Sequence, residues 1–333
     1  MAGATGVPAY PGRPQGSGTA GLGYEAIHRT GRVGWWRPLV GVLLLAACFY
    51  VAGALVALVL RVVRGAAAAA TGDGFADAAA SALLDLDEPL HPWGLAYLAL
   101  SLAVLVPVVI LGQRLLHGLR GGTLASVAGR IRWTWLLTCC GLAVFALLAT
   151  LVVSAVVPSD DTAGSVSGGV VSVDAKTWWF LAVIIVLIPL QAAGEEYAFR
   201  GYLTQVFGGW FGRFGAVVAP AVLFALAHGA QDPPVFFDRL AFGLVAGVLV
   251  LRTGGLEAAI AMHVLNNWFA FSLALIFGQM DDVLTPTGGS WWSLPVTLTQ
   301  SLVYLGLALW LAPRMGVLRH SWGGVLPTAR RGV

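Results

Sequence analysis

The sequence predicts an all-α fold: a polytopic membrane protein with about eight transmembrane helices. Three observations carry that expectation. Of 333 residues, 58% are hydrophobic and 11% charged, whereas soluble domains carry about 25% charged residues. Mean hydropathy is +0.82. The charges fall in clusters that separate apolar runs of roughly 18 to 25 residues, the length needed to cross a hydrocarbon core of about 30 Å. A soluble globular enzyme is excluded.

The elements follow in order. Residues 1–34 are rich in Gly, Pro, Ala and Thr and lack hydrophobic periodicity, so they are expected to be a disordered cytoplasmic lead. The first apolar run, 38–60, is too long for a signal-peptide core and is followed by Arg61 and Arg64; it is expected to be a retained span. The alanine run at Ala66–Ala70 and the acidic stretch from Asp73 to Glu88 suggest an extracytoplasmic connector with room for a short interfacial helix. Seven further spans are expected at 93–113, 135–157, 177–207, 214–230, 236–252, 256–278 and 295–313. Trp35, Trp36, Trp93, Trp133, Trp135, Trp178, Trp179, Trp291 and Trp292 fall at the proposed ends, where an indole suits the headgroup region.

Charge sets the expected orientation. With both termini cytoplasmic, 15 of the 19 basic residues lie inside, and Arg61, Arg64, Lys176 and Arg239 lie outside. That bias is the one the positive-inside rule describes, and it places the chain in the cell membrane as a multi-pass protein. Lys176 is the single lysine and no long basic run occurs, so nucleic acid is not an expected partner. Cys48, Cys139 and Cys140 all sit in apolar runs, which gives no disulfide or metal-ligand spacing. No internal repeat and no inverted pair of broken helices is visible, so a repeat-built transporter finds little support.

Ionisable side chains at membrane depth are costly and by default functional. Three places hold them: Glu195, Glu196 and Arg200 in the fourth span, His228 in the fifth, and His263 with Asn267 in the seventh. Helical spacing sorts their roles. Glu196 and Arg200 are four apart with the acid first, the better orientation for an ion pair, and so are expected to be structural. Glu195 points about 100° away and must be served by other helices. His263 and Asn267 share a face, as do Phe224 and His228. At about 1.5 Å per residue from the cytoplasmic ends, Glu195, His228 and Asn267 lie roughly 18 to 21 Å deep and His263 roughly 12 Å. This convergence requires the fourth helix to run on to Phe207, bent at Pro189 and Gly194; a helix ending near Arg200 would leave the site unassembled.

In a dry pocket Glu195 suits a general base for water, with His228 to orient that water or share its proton. His263 and Asn267 suit donors to the oxyanion formed when a peptide carbonyl is attacked. The pieces fit amide hydrolysis. One carboxylate and two imidazoles, Glu195, His228 and His263, are equally the ligand types of a catalytic zinc. The residues alone do not choose between these chemistries, so no cofactor is assigned and zinc is the one this set could hold. No HExxH helix occurs, which excludes a zincin-type site. His28, His91, His117 and His320 are assigned no role, Asn266 is read as interhelical glue, and Trp268 and Phe269 as packing.

Glu195-Glu196-x-x-x-Arg200, Phe224-x-x-x-His228 and His263-x-x-x-Asn267, in this order on successive apolar segments, resemble the three motifs of the CPBP family of intramembrane proteases, the CAAX-processing and bacteriocin-processing (Abi) proteins. The likeness covers about Leu181 to Ile276. It implies an eight-helix endopeptidase with a cavity open towards the cytoplasm and a membrane-associated peptide or protein as substrate. By match to the motifs Glu195 would activate water, His228 assist it, and His263 with Asn267 stabilise the oxyanion, with Glu196, Arg200 and Phe224 supporting. The family has been described both as metalloproteases and as glutamate-dependent enzymes, so the choice between metal and carboxylate stays open. The chain then divides into the lead 1–34, N-terminal helices and loops over 35–175, a CPBP-like core over 176–280, and a last helix with cytoplasmic tail over 281–333. The rival readings are a proton-coupled transporter or channel using the same residues as a relay, and a non-catalytic immunity or scaffold protein.

Overall fold

The structure is a computed structural model that describes residues 21–32, 34–81, 83, 90–157, 172–228, 232–281 and 290–321. Its elements are α1 (Trp36–Ala70), α2 (Phe75–Ala80), α3 (Pro92–Ala103), α4 (Leu105–Leu115), α5 (Gly122–Ala125), α6 (Trp133–Ser154), α7 (Ala175–Val186), α8 (Ile188–Glu195), α9 (Thr204–Ala227), α10 (Pro233–Thr253), α11 (Glu257–Ile276) and α12 (Ser293–Leu311). A π-helical segment, Glu196–Leu203, joins α8 to α9. Among the described residues there is no strand, only two isolated bridges, Gly23 with His320 and Ser126 with Gly255. The protein is a polytopic all-α membrane protein.

Among the described residues seven helices are long and apolar enough to span a bilayer, but one of them, Ala175–Ala227, runs to 53 residues. At about 1.5 Å per residue that is far more than one crossing. The chain reverses inside it at Gly212, whose φ of 64° and ψ of −158° break the helix. Thr204 Oγ1 donates to Ala216 O at 3.1 Å, although twelve residues of straight helix would part them by about 18 Å. The two limbs are the fourth and fifth predicted spans. The first limb continues past Arg200, as assembly of the site requires.

Local signals account for the other boundaries. Asp174 caps α7 through a box with Thr177, satisfying amides that would otherwise be orphaned in the first turn. The helix is interrupted at Leu187, between α7 and α8, where Pro189 enters the next turn without an N–H to donate. Gly194 is not a bend. A Cβ there would sit 2.1 Å from Leu102 O, so its lack of a side chain lets α8 lie directly against the α3–α4 junction. Pro233 and Pro234 start α10 and Gly254, at φ 69°, ends it, the usual asymmetry of helix ends.

Several expectations are corrected. Residues 21–32 of the lead are ordered. Tyr24–Thr30 forms a 3-10 helix that buries Tyr24, Glu25, Ile27 and His28, because two large side chains in a polar segment found a groove to fill; residues 1–20 lie outside the described residues. Ala66–Ala70 is the last turn of α1 rather than a connector, since alanine is the best helix former and Gly65 admits Phe75 of α2 alongside. Of the acidic stretch, residues 84–89 lie outside the described residues, as do 158–171, 282–289 and 322–333. Trp135 is buried at 2% exposure while Trp35, Trp133, Trp178, Trp179 and Trp291 are exposed, so Trp135 belongs to the core rather than to the aromatic belt.

The main core gathers side chains of α6, α9, α10, α11 and α12, with Phe224, Phe242, Leu249, Met262 and Tyr304 among them. One end of this bundle is closed by segments distant in sequence. Arg132 binds both oxygens of the buried Glu257 and donates to Thr253 O and Leu318 O. Ser321 N donates to Leu22 O, and Glu25 pairs with Arg213 at 3.0 Å. These contacts set the starting level of α11, and hence the height of His263 and Asn267 one to three turns further on.

Candidate functional site

Glu195, at the end of α8, is 4% exposed. Its two oxygens have different surroundings. Oε1 accepts from Gln191 Nε2 at 2.7 Å. Oε2 has no hydrogen-bond donor among the described residues and faces His263 Nε2 at 3.5 Å and His228 Nε2 at 4.0 Å. The expectation that Glu195 has no partner on its own helix is therefore corrected. Gln191 lies one turn earlier on the same face, where i and i+4 side chains meet.

Both imidazoles are oriented through their other nitrogen. His228 Nδ1 lies 2.8 Å from Phe224 O; a carbonyl only accepts, so Nδ1 carries the hydrogen and the neutral ring turns a bare Nε2 towards Glu195 Oε2. His263 Nδ1 lies 2.8 Å from Glu196 Oε1, and an ionised carboxylate imposes the same tautomer. Three acceptor atoms, Glu195 Oε2 and the two Nε2 atoms, thus face one another with no donor between them among the described residues. Such an arrangement asks for a guest that brings protons or positive charge.

Glu196 and Arg200 form the expected i,i+4 pair at 3.1 Å, both essentially fully buried. The Arg200 guanidinium stacks 4.0 Å from the Phe224 ring centroid, a cation–π contact that partly replaces lost hydration. Glu196 has a second task, because the oxygen that pairs with Arg200 also holds His263. The π segment starts at Glu196, and π turns inside α-helices often coincide with functional residues.

Asn267 lies one turn beyond His263 on α11. Its Nδ2 donates to Gln191 Oε1 at 3.0 Å, and its Oδ1 lies 3.4 Å from Asn266 Nδ2. Trp268 does more than pack, since its Nε1 donates to Ile184 O and ties α11 to α7. The structure therefore brings Glu195, Glu196, Arg200, Phe224, His228, His263 and Asn267 into one contiguous group. Gln191 is the member that sequence reasoning missed. The available signal was an amide at membrane depth, four residues before a buried acid.

Zinc was the cofactor the donor types allowed. Among the described residues no group of three or more His, Cys, Asp or Glu side chains is arranged to hold a metal ion.

Residues 177–269 match the family model "Type II CAAX prenyl endopeptidase Rce1-like", and the three motifs that resemble the CPBP family lie within that stretch. The chain is also similar to "Uncharacterized protein YyaK" of Bacillus subtilis (strain 168), at 30% identity over 145 residues, 40% of this chain and 48% of that protein. The chain thus spans about half the length of this curated relative. No solved structure matches it.

Proposed function

We propose that this chain, CPBP-like over residues 177–269, is an intramembrane endopeptidase that hydrolyses a peptide bond in a membrane-associated peptide or protein. The family match supports a CAAX-protease-like peptidase at the level of the family. The observation that carries the finer reading is the convergence of Glu195 Oε2, His263 Nε2 and His228 Nε2 without an intervening donor among the described residues. A water molecule there donates one hydrogen to Glu195 Oε2 and the other to an imidazole, which leaves an oxygen lone pair free for a carbonyl carbon.

In this mechanism the water oxygen bonds to the peptide carbon as Glu195 takes one of its protons. The carbonyl oxygen becomes an oxyanion and accepts the second Nδ2 hydrogen of Asn267, the first being held by Gln191. His263 adds a second donor when its Nε2 carries a proton, and Glu196 keeps the ring aimed. On collapse the C–N bond breaks, the nitrogen leaves with the proton stored on Glu195, and the products are a carboxyl and an amino terminus. Donors of this kind, fixed in a water-poor site, contribute about 10²- to 10³-fold each.

The test is cleavage of quenched-fluorescent peptides, lipidated ones included, by purified protein in nanodiscs. Glu195→Gln is expected to lose at least about 10³-fold in kcat while the protein stays folded. Undiminished cleavage by the variant would remove Glu195 from the chemistry. A chelator arm separates the two chemistries: cleavage that survives assigns the step to the carboxylate, and cleavage lost and restored by zinc assigns the lone pairs to a metal. A folded wild type that cleaves nothing but moves protons across liposomes would instead favour the relay reading.

A further inference from the structure

Gln191 is absent from the three motifs, yet it touches two groups to which the mechanism assigns different jobs. Its side chain bridges α8 and α11, with Nε2 donating to Glu195 Oε1 at 2.7 Å and Oε1 accepting from Asn267 Nδ2 at 3.0 Å. It is 9% exposed, so water does not readily substitute at either end.

The bridge has a direction imposed by chemistry. An ionised carboxylate can only accept, so Gln191 must turn its amide nitrogen to Glu195. That leaves its carbonyl oxygen for Asn267, which must answer with Nδ2 and not with Oδ1. Asn266 Nδ2, 3.4 Å from Asn267 Oδ1, favours the same orientation. An asparagine with its nitrogen end held at the site offers its second N–H to an oxyanion; the flipped amide would present a lone pair and repel it. The charge on Glu195 is in this way converted into the correct facing of Asn267. The orientation also survives the reaction cycle, because the proton drawn from water lands on Oε2 and Oε1 remains an acceptor throughout.

We propose that Gln191 is a positioning residue that couples the general base to the oxyanion donor by dictating which end of the Asn267 amide faces the substrate. The inference rests on the endopeptidase reading of this site. The alternative is interhelical glue, in which the bridge merely holds α8 against α11.

Steady-state cleavage by Gln191→Met, Asn267→Ala and the double variant in nanodiscs separates these readings. Met keeps the length and volume of Gln and removes both polar ends. Gln191→Met is expected to lower kcat by about 10- to 100-fold with KM within about 2-fold of wild type, because the lost interaction matters in the transition state. The double variant is expected to be about as slow as the slower single variant, since Gln191 acts through a residue that is already gone. An unchanged kcat, a loss confined to KM, or fold losses that multiply in the double variant would each overturn the proposal. Should Gln191→Met not fold in detergent, Gln191→Leu replaces it: it too lacks both the donor to Glu195 and the acceptor for Asn267, and the same kcat loss is expected. A wild type that cleaves no peptide would count against the endopeptidase reading itself, whereas a wild type that cleaves and a Gln191→Met variant that equals it would count against this inference alone.

Discussion

Glu196 and Arg200 are the most deeply buried charges of the site, at 0% and 1% side-chain exposure. A buried pair gives little net stabilisation over an apolar pair of similar volume, but removing one partner strands the other at a cost of about 3–5 kcal/mol. Arg200→Met is therefore expected to lower stability by that amount in thermal unfolding in detergent. The double variant Glu196→Gln, Arg200→Met is expected to regain much of it. Activity is not expected to return with stability, because Glu196 Oε1 also holds His263 Nδ1 at 2.8 Å. Recovery of both together would reduce the pair to scaffolding. The same logic explains the company of Phe224, whose ring lies under the guanidinium and whose carbonyl sets the tautomer of His228.

At the scale of elements, the short helix Tyr24–Thr30 is a strap across the extension of the helix that carries Glu195. His28 stacks on His117 with ring centroids 3.9 Å apart. His28 also reaches Gln113, which in turn bonds Thr123 and Gln205, while His117 bonds Tyr202 of the π segment. Burial, with the neighbouring His117 second, pushes His28 down to about 3. Burial, with Arg37 second, pushes His117 down to about 4. The ordinary value of a histidine is near 6.5, so between about 6.5 and 4 the unfolded chain binds more protons than the folded one, and stability rises with pH across that window. The strap's contribution is fully present above about pH 6.5 and is lost progressively as the pH falls towards 4. Thermal unfolding is expected to show a lower Tm at pH 5 than at pH 7.5, and a flatter dependence in the double variant His28→Gln, His117→Gln. Equal pH dependence in the two proteins would sink this account.

For the whole molecule, Arg29, Arg32, Arg37, Arg132 and Arg213, all of them bases expected on the same side, meet at one end of the bundle. Arg29 donates to Gly208 O, Arg32 to Leu115 O and Arg37 to Leu116 O, while the bridges Gly23–His320 and Ser126–Gly255 join the strap, the 120s loop, the α10–α11 turn and the C-terminal segment. Under the positive-inside rule a face that concentrates basic residues is the one expected in the cytoplasm. A single cysteine introduced by Arg319→Cys into a variant lacking Cys48, Cys139 and Cys140 is expected to react with a membrane-impermeant thiol reagent only after the cells are opened. Labelling of intact cells would reverse the orientation.

Hydropathy and charge spacing determine the membrane-spanning character, the approximate spans and the helical neighbours within each motif, because these depend on chain length and on the 3.6-residue period alone. The i,i+4 pairing of Glu196 with Arg200 belongs to this class. So does the chain reversal near 207–214, where the fourth and fifth expected spans adjoin. Gln191 was visible as an amide, but nothing local says that its far end meets Asn267, 76 residues away. Likewise only the tertiary structure decides that Glu196 turns away from its neighbour to hold His263, that Trp135 is core, and that His28, in a segment rich in glycine and proline, stacks on His117. Each of these depends on where separate helices come to lie against one another, and lateral adjacency of helices is a property of the packed molecule that no period in a single segment encodes.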